Sequence, residues 1–205
     1  HKPHEGGQFA LMSQRRFAPF FWTQFLGAAN DNLFKFAFTV LVTYQLQVQW
    51  LPAELAGLVI GALFILPFLL FSATSGQLAD KLDRREMIVW LKRAEIGIMA
   101  LAAGAFFVQN IPLLLASIFL MGLQSAVFGP VKFAYLPQHL SERELTGGNG
   151  MVEMGTFVAI LLGNLAGGLI IAVPEVGAHH VGFTCVGLAA LGPSLLPILR
   201  CRRRG

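Results

Sequence analysis

Apolar residues fall in long blocks along this 205-residue chain, and short polar segments separate the blocks. Residues 55–75 and residues 97–121 each contain no charged side chain. Each block is at least as long as the ~18–20 residues that a helix needs to cross a bilayer. The pattern therefore predicts an all-α integral membrane protein.

Proline, glycine and charged residues divide these blocks into six predicted helices. The predicted helices cover residues 17–44, 55–75, 87–108, 113–131, 151–172 and 181–199. A polar N-terminal extension over residues 1–16 precedes this six-helix bundle of residues 17–199, and a basic tail over residues 200–205 follows it. We expect residues 1–11 to be extraneous, because Met12 resembles a natural start, and we expect the tail to be truncated.

Basic residues collect in alternate loops of this predicted topology. Twelve of them lie before the first helix, in the second and fourth loops, and after the last helix: Lys2, Arg15, Arg16, Lys81, Arg84, Arg85, Lys132, Arg143, Arg200, Arg202, Arg203 and Arg204. The other loops, residues 45–54, 109–112 and 173–180, contain no Lys or Arg. Since cytoplasmic loops collect basic residues, both termini are predicted to be cytoplasmic. Membrane orientation accounts for the basic residues behind the net charge of +4. Nucleic-acid binding is not needed to explain that charge.

The amino-acid composition and the absence of known motifs exclude several classes of function. Hydrophobic residues make up 55% of the chain and charged residues 13%, against about 25% charged residues in an average soluble domain. The two cysteines, Cys185 and Cys201, form no metal-binding pair or disulfide framework. No catalytic triad, phosphate-binding loop or acyltransferase motif is present. We therefore predict a protein that is not an enzyme and that uses no cofactor or metal.

Charged residues inside the first predicted helix are candidate functional residues. Asp31 lies near its centre next to Asn30, and Lys35 follows one turn later on the same face. An ionised carboxylate at that depth is costly, so it faces protein or a watery cavity. Two interpretations remain open: a local Asp31–Lys35 pair, or a polar cavity lined by Asn30, Asp31 and Lys35.

Three more charges enter the third predicted helix from its cytoplasmic end, at Lys92, Arg93 and Glu95. We expect the two cations to extend to the lipid headgroups, and Glu95 to pair with Lys92 one turn away. Near the end of the fourth predicted helix, Lys132 is either a membrane anchor or a contact for an anionic headgroup. Both interpretations fit the composition equally well.

The fifth predicted helix combines small and polar residues. Gly163 and Gly167 form a G-x-x-x-G pair, which favours close helix packing over substrate contact. Asn149 and Glu153 lie at the cytoplasmic start of this helix, where they either cap it or join an inner gate.

The loop after the second predicted helix carries a recognisable motif. Residues 76–85 read GQLADKLDRR, which resembles the cytoplasmic loop signature of the major facilitator superfamily, G-x-L-A-D-(R/K)-x-G-(R/K)-(R/K). Asp83 stands where the signature has its second glycine. We expect Gly76, Asp80, Arg84 and Arg85 to form a gating latch, in which Asp80 pairs with a neighbouring helix end.

Four further segments resemble the bacterial lysophospholipid transporter branch of that superfamily. They are QFLGAANDN at residues 24–32, FGPVKFAYLP at 128–137, GNGMVE at 148–153 and AILLG at 159–163. The resemblance implies the N-terminal six-helix half of a twelve-helix carrier that moves lysophospholipid across the inner membrane by alternating access. It also implies that Asp31 and Lys132 line the substrate pathway, with Lys132 at the lipid phosphate.

The resemblance implies several partners: a lysophospholipid or other amphipathic substrate, membrane lipids, a C-terminal six-helix half, and a fused or neighbouring acyltransferase. Two other functions remain open at this point. One is a general exporter of drugs or small solutes, which fits the loop motif equally well. The other is a membrane module of an acyltransferase fusion, or a fragment without activity.

Overall fold

The protein is helical throughout the part that the structure, a computed structural model, describes: residues 8–13, 17–45 and 50–172 with residues 180, 184 and 187. Five long helices follow in order: α1 Ala18–Val40, α2 Ala53–Lys81, α3 Arg84–Val108, α4 Ile111–His139 and α5 Glu142–Ile171. A 3₁₀ turn, Gln8–Ser13, precedes α1, and a π turn, Leu41–Gln45, extends it. The all-α prediction is confirmed, and the sixth predicted helix, 181–199, lies outside the described residues apart from residues 184 and 187.

Several helices continue beyond their predicted ends. Helix α2 runs six residues past residue 75, α4 runs to His139 instead of residue 131, and α5 begins at Glu142 instead of residue 151. The predicted ends were wrong because glycine, proline and charge do not interrupt these helices: α4 contains both Pro130 and Pro137. The first half of the GQLADKLDRR motif is consequently helical rather than a loop.

Polar side chains define where the helices begin. Asp83 precedes α3 and its carboxylate accepts a hydrogen bond of 2.9 Å from the Arg85 N–H. Asn110 accepts a bond of 3.2 Å from the Leu113 N–H at the start of α4. At α5, the Ser141 N–H donates to the Glu144 carboxylate over 3.1 Å, as in a capping box. These caps set tight connections of two residues between α2 and α3, α3 and α4, and α4 and α5.

The cap at Asp83 explains the departure from the family signature and gives a prediction. Asp83→Ala removes the acceptor, so we expect a loss of about 1 kcal/mol in the free energy of unfolding. Asp83→Gly restores the signature and should cost only a few tenths, because glycine is itself tolerated at this position. Thermal melting of the two purified variants checks the order, and equal melting temperatures would contradict it.

Three of the described helices are long and apolar enough to cross a membrane: Glu54–Lys81, Ile111–Pro137 and Glu142–Ile171. Helices α1 and α3 are long as well, but each carries charged residues inside its apolar sequence. Buried charge of this kind is tolerated in a membrane where it faces the interior of the bundle. The charged residues of α1 and α3 are therefore expected to face the interior of the bundle.

Glycines bring pairs of helices into backbone contact. Helix α1 packs mainly on α5, and α2 and α3 both pack on α4. A side chain at Gly163 would meet the Ala29 carbonyl oxygen, and one at Gly167 would meet the Leu33 carbonyl oxygen. Gly122 of α4 lies equally close to the backbone of α2. The prediction of tight packing at the G-x-x-x-G pair is confirmed.

Two apolar clusters lie at opposite ends of the bundle. The first joins the starts of α1, α3 and α5 to the ends of α2 and α4, and includes Phe20, Ile88 and Met151. The second joins the opposite ends of the same helices, and includes Phe34 and Phe106. Between the clusters, α1, α3 and α4 carry buried polar side chains and α5 carries the part-buried Thr156, and we call this region the polar layer.

The 3₁₀ turn before α1 contributes to the first apolar cluster. Leu11 is buried there, and it lies where Gly148 of α5 leaves room beside Leu140 and Phe17. The segment Gln8–Ser13 therefore packs against α1 and α5.

Candidate functional site

The polar layer gathers side chains from four helices at the middle of the bundle. Most of its members are more than nine-tenths buried. Such groups are costly in an apolar interior unless they are paired or serve a ligand. The layer consists of Thr23, Gln24, Asn30 and Asp31 on α1, Lys92 and Glu95 on α3, Gln124 and Ser125 on α4, and Thr156 on α5.

Asp31 bonds across to α4 rather than along its own helix. Its Oδ2 atom accepts a hydrogen bond of 2.9 Å from the Ser125 hydroxyl, while Oδ1 has no hydrogen-bond partner in the described part of the chain. The Lys35 ammonium lies 3.8 Å from the centre of the Phe64 ring. No Asp31–Lys35 ion pair within 4.0 Å occurs among the described residues. Of the two sequence interpretations, the local pair is therefore wrong.

Lys92 and Glu95 form a buried ion pair, with 3.1 Å between Nζ and Oε2. Lys92 is only 2% exposed, so the prediction that it reaches the headgroups was wrong, whereas its predicted pairing with Glu95 is confirmed. The ammonium lies beside Gly27 of α1 and 4.6 Å from the centre of the Phe128 ring of α4. Arg93, in contrast, is exposed, which agrees with the expectation for that residue.

Gln24 links the polar layer to α5. Its side-chain Nε2 donates to the Val152 carbonyl over 3.4 Å, and its Oε1 accepts a bond of 3.1 Å from the Thr156 hydroxyl. Sequence reasoning missed Gln24, Ser125 and Thr156 as parts of the site. The spacing of Gln24 and Asp31, seven residues and thus one face of a helix, was the signal that could have identified the first of them.

Lys132 lies toward one end of the polar layer. It is half-buried on α4, just after Pro130, and its charged neighbours are Glu153 of α5 and Lys92. Glu153 is exposed in the fourth turn of α5. Because Ser141 begins that helix, the interpretation of Asn149 and Glu153 as its caps was wrong.

The structure places the predicted substrate residues at three depths along the bundle. Asn30 and Asp31 lie in the middle of the layer, opposite Ser125. Lys132 follows Ser125 by seven residues on α4, which is ~10 Å along a helix axis at ~1.5 Å per residue. Lys35 lies one turn after Asp31 on α1, on the side of Asp31 that faces away from Lys132. The cations thus lie at different depths on either side of the Asp31 carboxylate.

The four motif residues lie at the α2–α3 connection. Gly76 and Asp80 occupy the last two turns of α2, and Arg84 and Arg85 begin α3. Asp80 is exposed and has no ion pair within 4.0 Å among the residues described. Arg85 is a charged neighbour of Tyr135, which lies near the end of α4. The predicted latch contact of Asp80 is therefore not formed in this arrangement.

The site offers charge and hydrogen bonds for binding a polar group. Within the described ranges, no group of three or more His, Cys, Asp or Glu side chains is placed to hold a metal ion. Apolar helices around a buried layer of charged and amide side chains are the architecture of helical membrane transporters.

Comparison with known proteins gives the particular family. The chain belongs to the Major Facilitator Superfamily, whose profile matches residues 20–203. It is 30% identical over 147 residues to "Lysophospholipid transporter LplT" of Escherichia coli (strain SE11), covering 72% of this chain and 34% of the relative. It is 29% identical over 182 residues to the transporter of the same name from Klebsiella pneumoniae, covering 89% and 43%. No solved structure matches the chain.

The chain matches 34% and 43% of the length of these two relatives. It is an integral membrane protein of a transporter family, and the resemblance noted in the sequence motifs is confirmed.

Proposed function

We propose that the chain is the N-terminal bundle of a carrier that moves lysophospholipid across the bacterial inner membrane. The similarity to two proteins named lysophospholipid transporters, over 72% and 89% of this chain, carries the proposal. The positions of Asp31 and Lys132 support it, because a lipid headgroup crossing the bilayer needs polar partners at more than one depth.

The zwitterionic headgroup of lysophosphatidylethanolamine fits the charges of this site. Its phosphate matches the half-buried Lys132, since ammonium–phosphate hydrogen bonds are charge-assisted and strong. The Asp31 carboxylate, with Oδ1 unpartnered, offers an acceptor for the polar groups beyond the phosphate. Asn30 and Lys35 flank Asp31 on α1 and belong to the same proposed pathway.

Alternating access supplies the proposed mechanism. One six-helix bundle rocks against a second one around a central site in this family of mechanisms. Helices α2 and α5 carry exposed apolar side chains, including Leu58, Leu69, Leu161 and Leu169, that suit contact with lipid or with a second bundle. Both termini lie in the cytoplasm in this proposal, as the distribution of basic residues predicts.

The α2–α3 connection provides the proposed inner gate. In the proposed topology the cytoplasmic side holds Asp80, Arg84 and Arg85, together with Gly76, which lies in the last turns of α2. Asp80 pairs in one state of the carrier and releases in the other, and Glu153 beside Lys132 joins the same gate.

Uptake of labelled lysophosphatidylethanolamine tests the proposed function. Cells that lack their own lysophospholipid transporter express the complete reading frame containing this chain, and accumulation is compared with that in cells carrying an empty vector. We expect uptake well above the empty vector. Efflux of drugs or small solutes that changes while lysolipid uptake stays at the vector level would favour the general exporter instead.

A further inference from the structure

The buried Lys92 of α3 has two buried carboxylates as charged neighbours, Glu95 on its own helix and Asp31 on α1. Its ammonium is paired with Glu95 at 3.1 Å. A Cβ atom placed on Gly27 would come within 2.6 Å of that ammonium and 3.5 Å of Glu95 Oε1. Gly27 precedes Asp31 by four residues, so the two positions are adjacent on one face of α1, ~5–6 Å apart. The Lys92–Glu95 pair therefore lies about one helical turn from Asp31.

Each of the two carboxylates near this ammonium has an oxygen atom that can accept a further hydrogen bond. Asp31 Oδ1 and Glu95 Oε1 both lack a hydrogen-bond partner within the described ranges. The charged neighbours of Asp31 are Glu95, Lys92 and, more weakly, Lys35, whose ammonium lies over the Phe64 ring. Asp31 is thus the second acid near Lys92, while among the described residues only Glu95 pairs with its ammonium within 4.0 Å.

We propose that Glu95 is a positioning residue that holds the Lys92 ammonium away from Asp31, and so leaves the Asp31 carboxylate available to the substrate headgroup. This inference rests on the proposed function for its effect on transport. Its structural part, the exchange of Lys92 between two acids, is independent of any substrate.

Glu95→Gln is expected to affect substrate binding more than stability. Loss of one partner of a buried ion pair ordinarily destabilises a protein strongly, because the other charge is left without a counter-ion. Here Lys92 transfers to Asp31, so the variant stays folded. Asp31 is then occupied by an internal cation, and the substrate must displace that cation before it binds.

A double-mutant cycle of thermal stability in the complete carrier tests the ion-pair exchange. We expect Glu95→Gln and Asp31→Asn each to lower the melting temperature by about 2 °C or less, because Lys92 keeps one acid in both variants. The combination leaves Lys92 buried without an acid, and should lower the melting temperature by about 10 °C. A double variant whose shift equals the sum of the single shifts would overturn the exchange.

Transport kinetics of lysophosphatidylethanolamine test the positioning role. We expect Glu95→Gln to raise the apparent KM about tenfold while the maximal rate changes less than twofold, and Glu95→Asp to recover most of the affinity. Glu86→Gln, the same change at an exposed residue of α3, is the matched control and should leave KM unaltered.

These experiments distinguish a failure of the Glu95 inference from a failure of the proposed function. An unchanged KM in Glu95→Gln, in a carrier that transports lysolipid, overturns the positioning role but leaves the function intact. A fall in maximal rate with no change in KM also overturns it, since that result describes a structural role alone. A carrier that moves no lysolipid refutes both the function and the positioning role, and the stability cycle still decides the ion-pair exchange.

Discussion

Replacing Gly163 with valine is expected to destabilise the bundle more than any other single change discussed above. A side chain at this position would meet the Ala29 carbonyl oxygen, which belongs to the backbone of α1 and cannot move without the helix. Helices α1 and α5 would have to separate, and Gly167 would lose its contact with Leu33 as well. Overpacking of this kind costs about 3 kcal/mol or more, which corresponds to a melting temperature lowered by roughly 10 °C.

Gly104 of α3 offers the matched control for this substitution. Nothing lies within 4 Å of a Cβ atom placed there, so Gly104→Val adds the same side chain without a steric conflict. We expect its melting temperature to stay within about 2 °C of the parent. If both variants melted alike, the close α1–α5 contact would not contribute to stability as described.

Replacing Lys132 with alanine is expected to reduce lysolipid uptake about tenfold or more. The substitution removes the half-buried cation proposed to meet the lipid phosphate, and charge-assisted hydrogen bonds contribute about 1.5–3 kcal/mol. Lys132→Arg keeps the charge and should retain part of the activity. Uptake is measured at equal carrier abundance, determined from the membrane fraction by immunoblot.

Arg93→Ala serves as the control for Lys132→Ala, because Arg93 is an exposed cation of α3 outside the polar layer. We expect uptake by that variant to match the parent. Asp31→Asn should resemble Lys132→Ala, since both residues lie on the proposed pathway. Unchanged uptake in both Lys132→Ala and Asp31→Asn would refute their assignment to the substrate pathway.

The sequence predicted which helices exist better than where they end. Apolar blocks identify α1 to α5 because a bilayer span needs a long run of apolar residues. Their ends depend on local caps: Asp83 begins α3 and Ser141 begins α5. Helix α4 was predicted to end at residue 131, but it continues through Pro137 to His139.

The charged residues of the site were predictable from the sequence, but its contacts between helices were not. Asp31 and Lys132 stand out in the sequence because charge is rare inside apolar segments. Lys92 was placed at the headgroups because it lies near a helix end, whereas Gly27 leaves space for its ammonium against α1. That space depends on which helices pack together, as does the bond between Asp31 and Ser125. Such pairings require the three-dimensional arrangement.

Reconstitution of the purified complete carrier into liposomes tests the central claim most directly. Fluorescent lysophosphatidylethanolamine is placed in one leaflet, and its movement to the other leaflet is followed by quenching from outside. We expect movement clearly faster than in protein-free liposomes, and a rate close to the protein-free value for Lys132→Ala. Movement no faster than in protein-free liposomes, in a preparation that transports a small solute, would contradict the account.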